Sequence, residues 1–248
     1  MCYSDTARPP LPPIRGGATD DGALVLTAAD GTRVAAHGAR AAASSGAGVV
    51  ILPDVRGLHH FYQELAVRFA EAGLDAVAID YFGRTAGLGE RGEDFEFRPH
   101  VERTTPAGIA QDTAAAVSWL RSPEGGAVGA VFTVGFCFGG SNSWNQAAAG
   151  HDLRGSIGLY GQPARSRPFL GQMQNPLLVL IAGADFTPPA EYDSFDAELT
   201  AAGVAHEMHT YPGAPHSFFD RTFAEHREAC DDAWRRMLDF VDRHRAGA

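Results

Sequence analysis

Short apolar runs alternate with segments of helical periodicity along most of this chain, the pattern of βα units built around a mainly parallel sheet. Buried strands are predicted at 48–52, 76–79, 128–134, 156–160, 177–181 and 206–211, each a brief apolar or β-branched stretch bounded by Gly, Pro or Asp. Helices are predicted at 62–72, 108–120, 141–149, 190–201 and 222–244. In the last of these Trp234, Leu238 and Val241 recur at helical spacing and read as a core-facing stripe. Ahead of the alternating region, strand-like 23–27 and 32–38 are joined through Asp30-Gly31, a hairpin signal because both residues tolerate positive φ, so the sheet is expected to open with an antiparallel pair.

The start of the chain breaks this pattern. Pro9, Pro10, Pro12, Pro13 and Gly16-Gly17 favour an extended, poorly packed stretch, so residues 1–17 are expected to form a flexible Pro-rich arm outside the core. Residues 18–248 are expected to fold as a single α/β domain, with no repeat and no second linker.

Composition narrows the classes. A hydrophobic fraction of 45% supports a sizeable core and argues against wholesale disorder. With 30 acidic and 20 basic residues the formal net charge is -10, which repels phosphate backbones and anionic membrane surfaces, so neither nucleic acid nor membrane is expected as a partner. No apolar run reaches the roughly 20 residues of a membrane helix, and the first residues lack the order of a secretion signal, so the expected location is cytoplasmic. Cys2, Cys137 and Cys230 are too few and too scattered for a disulfide framework or a zinc site. Cys2 reads as part of the terminus and Cys230 as a packed position on the last helix.

Cys137 is different. The segment from Val131 to Gly140 is an apolar strand that runs into a glycine-flanked residue and then a helix, which is the order of a nucleophile elbow. Such a turn crowds its neighbours, so Gly135 and Gly139 must be small, and it lifts the side chain between them above the sheet. A helix N-terminus also favours the thiolate, the reactive form of a cysteine. Elbow hydrolases carry an acid after a later strand and a histidine beyond it, and here Asp185 follows the apolar run 177–184 while His216 follows strand-like 208–211 and the turn 212–215. In these roles His216 takes the thiol proton and Asp185 fixes the imidazole. The bland alternatives are a helix cap for Asp185, a surface loop for His216 and a small buried residue for Cys137. Backbone amides of Phe138 and Val55 are the expected oxyanion donors.

Taken in order, GFCFGG, GADFTP and PHSFFD resemble the dienelactone hydrolase family over roughly residues 20 to 245. The resemblance implies an α/β-hydrolase fold: a mainly parallel central sheet with an antiparallel N-terminal hairpin and helices on both faces. It also implies a Cys137–His216–Asp185 triad that opens a lactone or ester through an acyl-enzyme, with no metal and no organic cofactor. By the same resemblance Asp54 stands where an acid holds the resting thiol, though it is shorter than the family's glutamate. Arg84 stands where the first of two carboxylate-binding arginines is expected. At the second position Asp220 replaces the arginine, and Arg221 follows it. Arg56, Tyr81 and Phe136 are further candidates for contact with substrate, and His59 and His60 adjoin the oxyanion loop.

The expected partner is a small, carboxylate-bearing ester or lactone, the protein acting as a monomer or homodimer. A general carboxylesterase or thioesterase is the alternative, with a neutral pocket lined by Tyr81, Phe82, Phe136, Phe138 and Trp144. A non-hydrolytic ligand-binding or thiol redox-sensing domain is a third reading, weakened by the presence of the histidine and the acid at the right later positions.

Overall fold

A computed structural model describes residues 3–246. Its elements, in chain order, are β1 (Ala18–Thr27), β2 (Arg33–Ala41), β3 (Ala47–Leu52), α1 (His60–Glu71), β4 (Asp75–Ile79), α2 (Gly83–Ala86), α3 (Arg98–Arg103), α4 (Pro106–Arg121), β5 (Ala130–Phe136), α5 (Phe138–Gln146), β6 (Gly155–Leu159), β7 (Leu177–Ala184), α6 (Pro189–Ala201), β8 (His206–Pro215) and α7 (Arg227–Arg245). The strands form one sheet in the order β1-β2-β4-β3-β5-β6-β7-β8. Contacts β1·β2 and β2·β4 are antiparallel and the remainder are parallel, as the hydrophobic pattern predicts.

Strands β3 and β5 are buried along their whole length, which is why they read as unbroken apolar runs rather than alternating ones. Their side chains divide between two faces. Val49 and Ile51 join Phe69 of α1 and Trp234 and Leu238 of α7 on one side, while Val50 and Leu52 join Ile109, Ala116 and Leu120 of α4 on the other. Beyond β5, Trp144 of α5 packs with Phe195 and Leu199 of α6 against Val179 and Ile181. Helix α4 starts sharply because Pro106 occupies its first turn and the Thr105 side chain accepts the Gly108 amide at 3.1 Å.

Several expectations are corrected. The β1–β2 turn is longer than two residues: the Gly31 amide bonds Ala28 O and the Ala28 amide bonds Thr32 O, and Gly31 alone takes positive φ, at 83°. The last helix begins at Arg227, after a short 3₁₀ turn at Ala224–His226. The segment between β4 and α4, left without structure by the periodicity, contains α2 and α3 and is pinned by the buried Arg91–Asp80 pair at 2.8 Å.

The largest correction concerns the N-terminal arm. Tyr3 and Ala7 are buried, the Tyr3 ring stacks on Phe61 with centroids 3.7 Å apart, and Trp234 Nε1 donates to Pro10 O at 3.1 Å. Proline makes this inexpensive, because an extended proline backbone carries no amide that burial would strand. Composition showed the extended backbone but not the aromatic socket that receives it. Cys2 lies outside the described residues, and Cys230 is packed as expected, with its Sγ 3.3 Å from Phe218 O.

Candidate active site

Strand β5 ends at Phe136, α5 begins at Phe138, and Cys137 between them adopts φ 56° and ψ -115°. Positive φ in a non-glycine residue costs on the order of 1–3 kcal/mol and persists only where the surroundings impose it. Here they do. The Cys137 amide bonds Leu159 O on neighbouring β6, and its carbonyl accepts the Gly140 amide, both at 3.0 Å. A Cβ at Gly135 would collide with Gly139 O and lie 2.9 Å from Gly140 N, and one at Gly139 would collide with the Leu52 and Pro53 carbonyls. The small residues thus let α5 approach both its own strand and the end of β3, and they leave Cys137 partly exposed.

That approach joins the elbow to the loop after β3. Phe138 opens α5, where helix geometry leaves the first amides without an acceptor in the helix. Val55 lies in the facing turn, closed by Gly57 N to Asp54 O at 3.1 Å and by Arg56 N to Asp54 Oδ1 at 2.7 Å. Tyr81 braces this turn from below, its hydroxyl donating to the carbonyls of Pro53 and Asp54.

Register in the sheet brings the other two candidates together. Strands β7 and β8 run parallel with a shift between Ala182 and Ala184, after which Ala184 pairs with Pro215. The next residues, Asp185 and His216, therefore emerge side by side, and His216 Nδ1 lies 2.8 Å from Asp185 Oδ2. The other carboxylate oxygen accepts the Phe186 amide at 2.6 Å, and the acid's side chain is fully buried. Asp185 does not cap α6, whose cap is Pro188. Two aromatic rings flank the imidazole, Tyr160 at 5.0 Å and Phe186 at 4.7 Å between centroids. Tyr160 also borders the thiol: burial pushes its hydroxyl well above the ordinary tyrosine range, and neighbouring Cys137 and Asp54 add to the effect.

Other predicted site residues stand elsewhere. The Arg84 guanidinium is spent on Asp112, at 2.7 Å, and on Asp30, at 2.5 Å. Its hydrogen bonds hold the Asp30 carboxyl well below the usual range, while burial pushes Asp112 up to about 6 against the pull of the same arginine. Arg221 pairs with Glu64 of α1 at 3.1 Å. Arg56 is buried and binds the Tyr3 carbonyl and Asp5. Each of these three candidate anchors is paired with a carboxylate that is remote in sequence. At Asp54, Oδ1 accepts the Arg56 amide of its own turn, Oδ2 lies 3.8 Å from His59 Nε2, and that oxygen has no hydrogen-bond partner among the described residues. Phe136 and Trp144 are fully buried in the core, and His59 is buried, whereas His60 meets Arg8 of the arm at 2.8 Å.

Arg165, which the sequence gave no reason to single out, lies with its guanidinium carbon 5.0 Å from the centre of the Phe138 ring. It is exposed, its side chain bonds Gln162 Oε1 at 3.2 Å, and no carboxylate pairs with it among the described residues. Phe82 stacks on the same ring at 6.4 Å and Tyr81 meets it edge-on at 5.6 Å, so the residue after Cys137 sits in an aromatic cluster.

Similarity to known proteins agrees with this fold. Residues 34–245 match the model of the dienelactone hydrolase family. A candidate carboxymethylenebutenolidase from Yersinia pestis is 27% identical over 212 residues, covering 81% of this chain and 79% of the relative. One from Salmonella typhi is 27% identical over 244 residues, covering 90% and 88%. Among solved structures, a candidate dienelactone hydrolase from Klebsiella pneumoniae superposes with TM-score 0.77 at 24% identity over 90% of this chain and 98% of its own. Est1E from Butyrivibrio proteoclasticus gives 0.64 at 15% identity over 89% and 99%, and these two structures speak to the shared α/β-hydrolase fold. With 34–245 covered by the family model, the chain belongs to the dienelactone hydrolase family of ester and lactone hydrolases.

Proposed function

We propose that this enzyme opens small esters or lactones through a covalent thioester on Cys137. His216 removes the thiol proton as sulfur attacks the carbonyl carbon. The carbonyl oxygen takes up the electron pair and is met by the Phe138 and Val55 amides. Collapse of this intermediate breaks the ester C–O bond, and the proton held by His216 passes to the leaving alkoxide. In the second half His216 deprotonates a water, which attacks the thioester and returns the thiol. Asp185 fixes the tautomer in which Nε2 is the base and stabilises the imidazolium that forms. The observation that carries this reading is the 2.8 Å His216–Asp185 pair, delivered by the sheet register to the edge where the strained elbow raises Cys137.

A substrate carboxylate, where one is present, is met by Arg165 rather than by Arg84, because only Arg165 is beside the elbow without a carboxylate partner among the described residues. The test is an ester and lactone panel on the native enzyme, Cys137→Ala, His216→Ala and the double variant. Each single change should cost on the order of 10³ or more in kcat/KM, and the double variant should fall little further, because the residues act as a unit. Retained turnover in Cys137→Ala, or losses that multiply, would overturn the mechanism.

A further inference from the structure

The N-terminal segment reaches several parts of the site. Tyr3 is buried, stacked on Phe61 and edge-on to Tyr62 at 6.0 Å and to Phe136 at 6.4 Å. Its hydroxyl hydrogen-bonds that of Tyr160, whose ring packs on the His216 imidazole. Its carbonyl accepts from Arg56, the residue after the oxyanion amide of Val55, and Arg56 also pairs with Asp5 at 2.5 Å. The Asp5 amide donates to Glu93 in the segment between α2 and α3 at 2.8 Å. Arg8 donates its amide to Asp220, at 3.0 Å, and accepts the Arg221 amide, at 2.9 Å, both on the loop that follows His216.

We propose that residues 3–8 form a strap that assembles the site, in which Tyr3 is a positioning residue for the base: by holding the Tyr160 hydroxyl it fixes one wall of the imidazole. Tyr160 needs such a hold. It sits at φ 39°, a left-handed conformation that a bulky residue rarely adopts, and its amide is tied to Leu180 O at 2.8 Å. Its hydroxyl is deeply buried, so loss of the Tyr3 partner strands a polar group and favours a shift of the ring. A ring that moves opens space beside His216, while the Phe186 ring and Asp185 still hold the imidazole and its Nδ1. The base then samples orientations that miss the thiol proton. Substrate binding is little affected, because the strap acts on the base only through Tyr160 and on the oxyanion turn only through Arg56.

This role rests on His216 being the base, so the experiment carries both questions. Hydrolysis of p-nitrophenyl acetate is measured with the native enzyme, Tyr3→Phe, Tyr160→Phe, the double variant, and His216→Ala as the reference, together with thermal midpoints. Tyr3→Phe keeps the stacked ring and removes only the hydroxyl. It should lower kcat roughly tenfold with KM within about twofold, short of the about 10² that a full 1 Å misplacement costs. Tyr160→Phe should fall similarly, and the double variant should equal either single one, since both remove the same link. A role confined to stability would lower the midpoint and leave kcat alone, and that result overturns the proposal. So does a double variant whose losses multiply. If His216→Ala remained active, the triad itself would fall and the strap's role with it, whereas an inactive His216→Ala beside a fully active Tyr3→Phe removes the strap alone.

Discussion

Replacing Gly139 by Ala is the sharpest test of whether the elbow builds the proposed oxyanion site. The added methyl carbon would sit against the Leu52 and Pro53 carbonyl oxygens, with the Leu52 carbonyl carbon 2.6 Å away. Carbon atoms rest about 3.5–4.0 Å apart, so the overlap is about 1 Å and cannot be relieved by a rotamer, since both partners are backbone. Either α5 withdraws or the end of β3 moves, and in both cases the Phe138 and Val55 amides separate. Losing one oxyanion donor costs about 10²–10³ in kcat, and a 1 Å misplacement about 10², so kcat should fall by roughly 10². Overpacking should also cost about 1–3 kcal/mol of stability, which is roughly 2–12 °C in a domain of this size. Gly171→Ala is the control, because a Cβ there meets nothing within 4 Å. The assay is kcat and KM on a neutral activated ester, with calorimetry on both variants. A Gly139→Ala enzyme that keeps native kcat and native thermal midpoint would refute the claim that backbone approach at this glycine sets the site.

Arg84→Ala should leave any preference for carboxylate-bearing esters unchanged, as matched charged and amidated substrates will show, because its guanidinium is occupied by Asp112 and Asp30. The same variant should be destabilised by about 2–4 kcal/mol on calorimetry, somewhat less than for a fully buried pair because the Asp30 end is solvated and Asp112 can take up a proton; a lost carboxylate preference with native stability would restore Arg84 as the anchor. Alkylation of the native protein at pH 8 followed by peptide mapping should modify Cys137 and spare Cys230, whose thiol burial pushes up to about 12. Rapid labelling of Cys230 in the folded enzyme would contradict the packing of α7 against the Phe218 carbonyl.

What was legible in the sequence is what local physics enforces. Glycines on either side of Cys137 are demanded by the sterics of a strand-to-helix turn, and the apolar runs of β3 and β5 by burial on both faces, so elbow, sheet and chain order could be read from neighbouring residues. Asp185 and His216 followed from that order, although their 2.8 Å contact required the Ala184–Pro215 register to exist. Which arginines are left unpaired was not legible. An arginine's availability depends on which carboxylates fold against it, and only the tertiary structure pairs Arg84 with Asp30 and Asp112, Arg221 with Glu64 and Arg56 with Asp5, while leaving Arg165 beside Phe138. The N-terminal arm was hidden for the same reason: its prolines announce an extended backbone, but the socket that buries Tyr3 is built by Phe61, Tyr62, Phe136 and Tyr160, which meet only when α1 and the strands β5 and β6 pack.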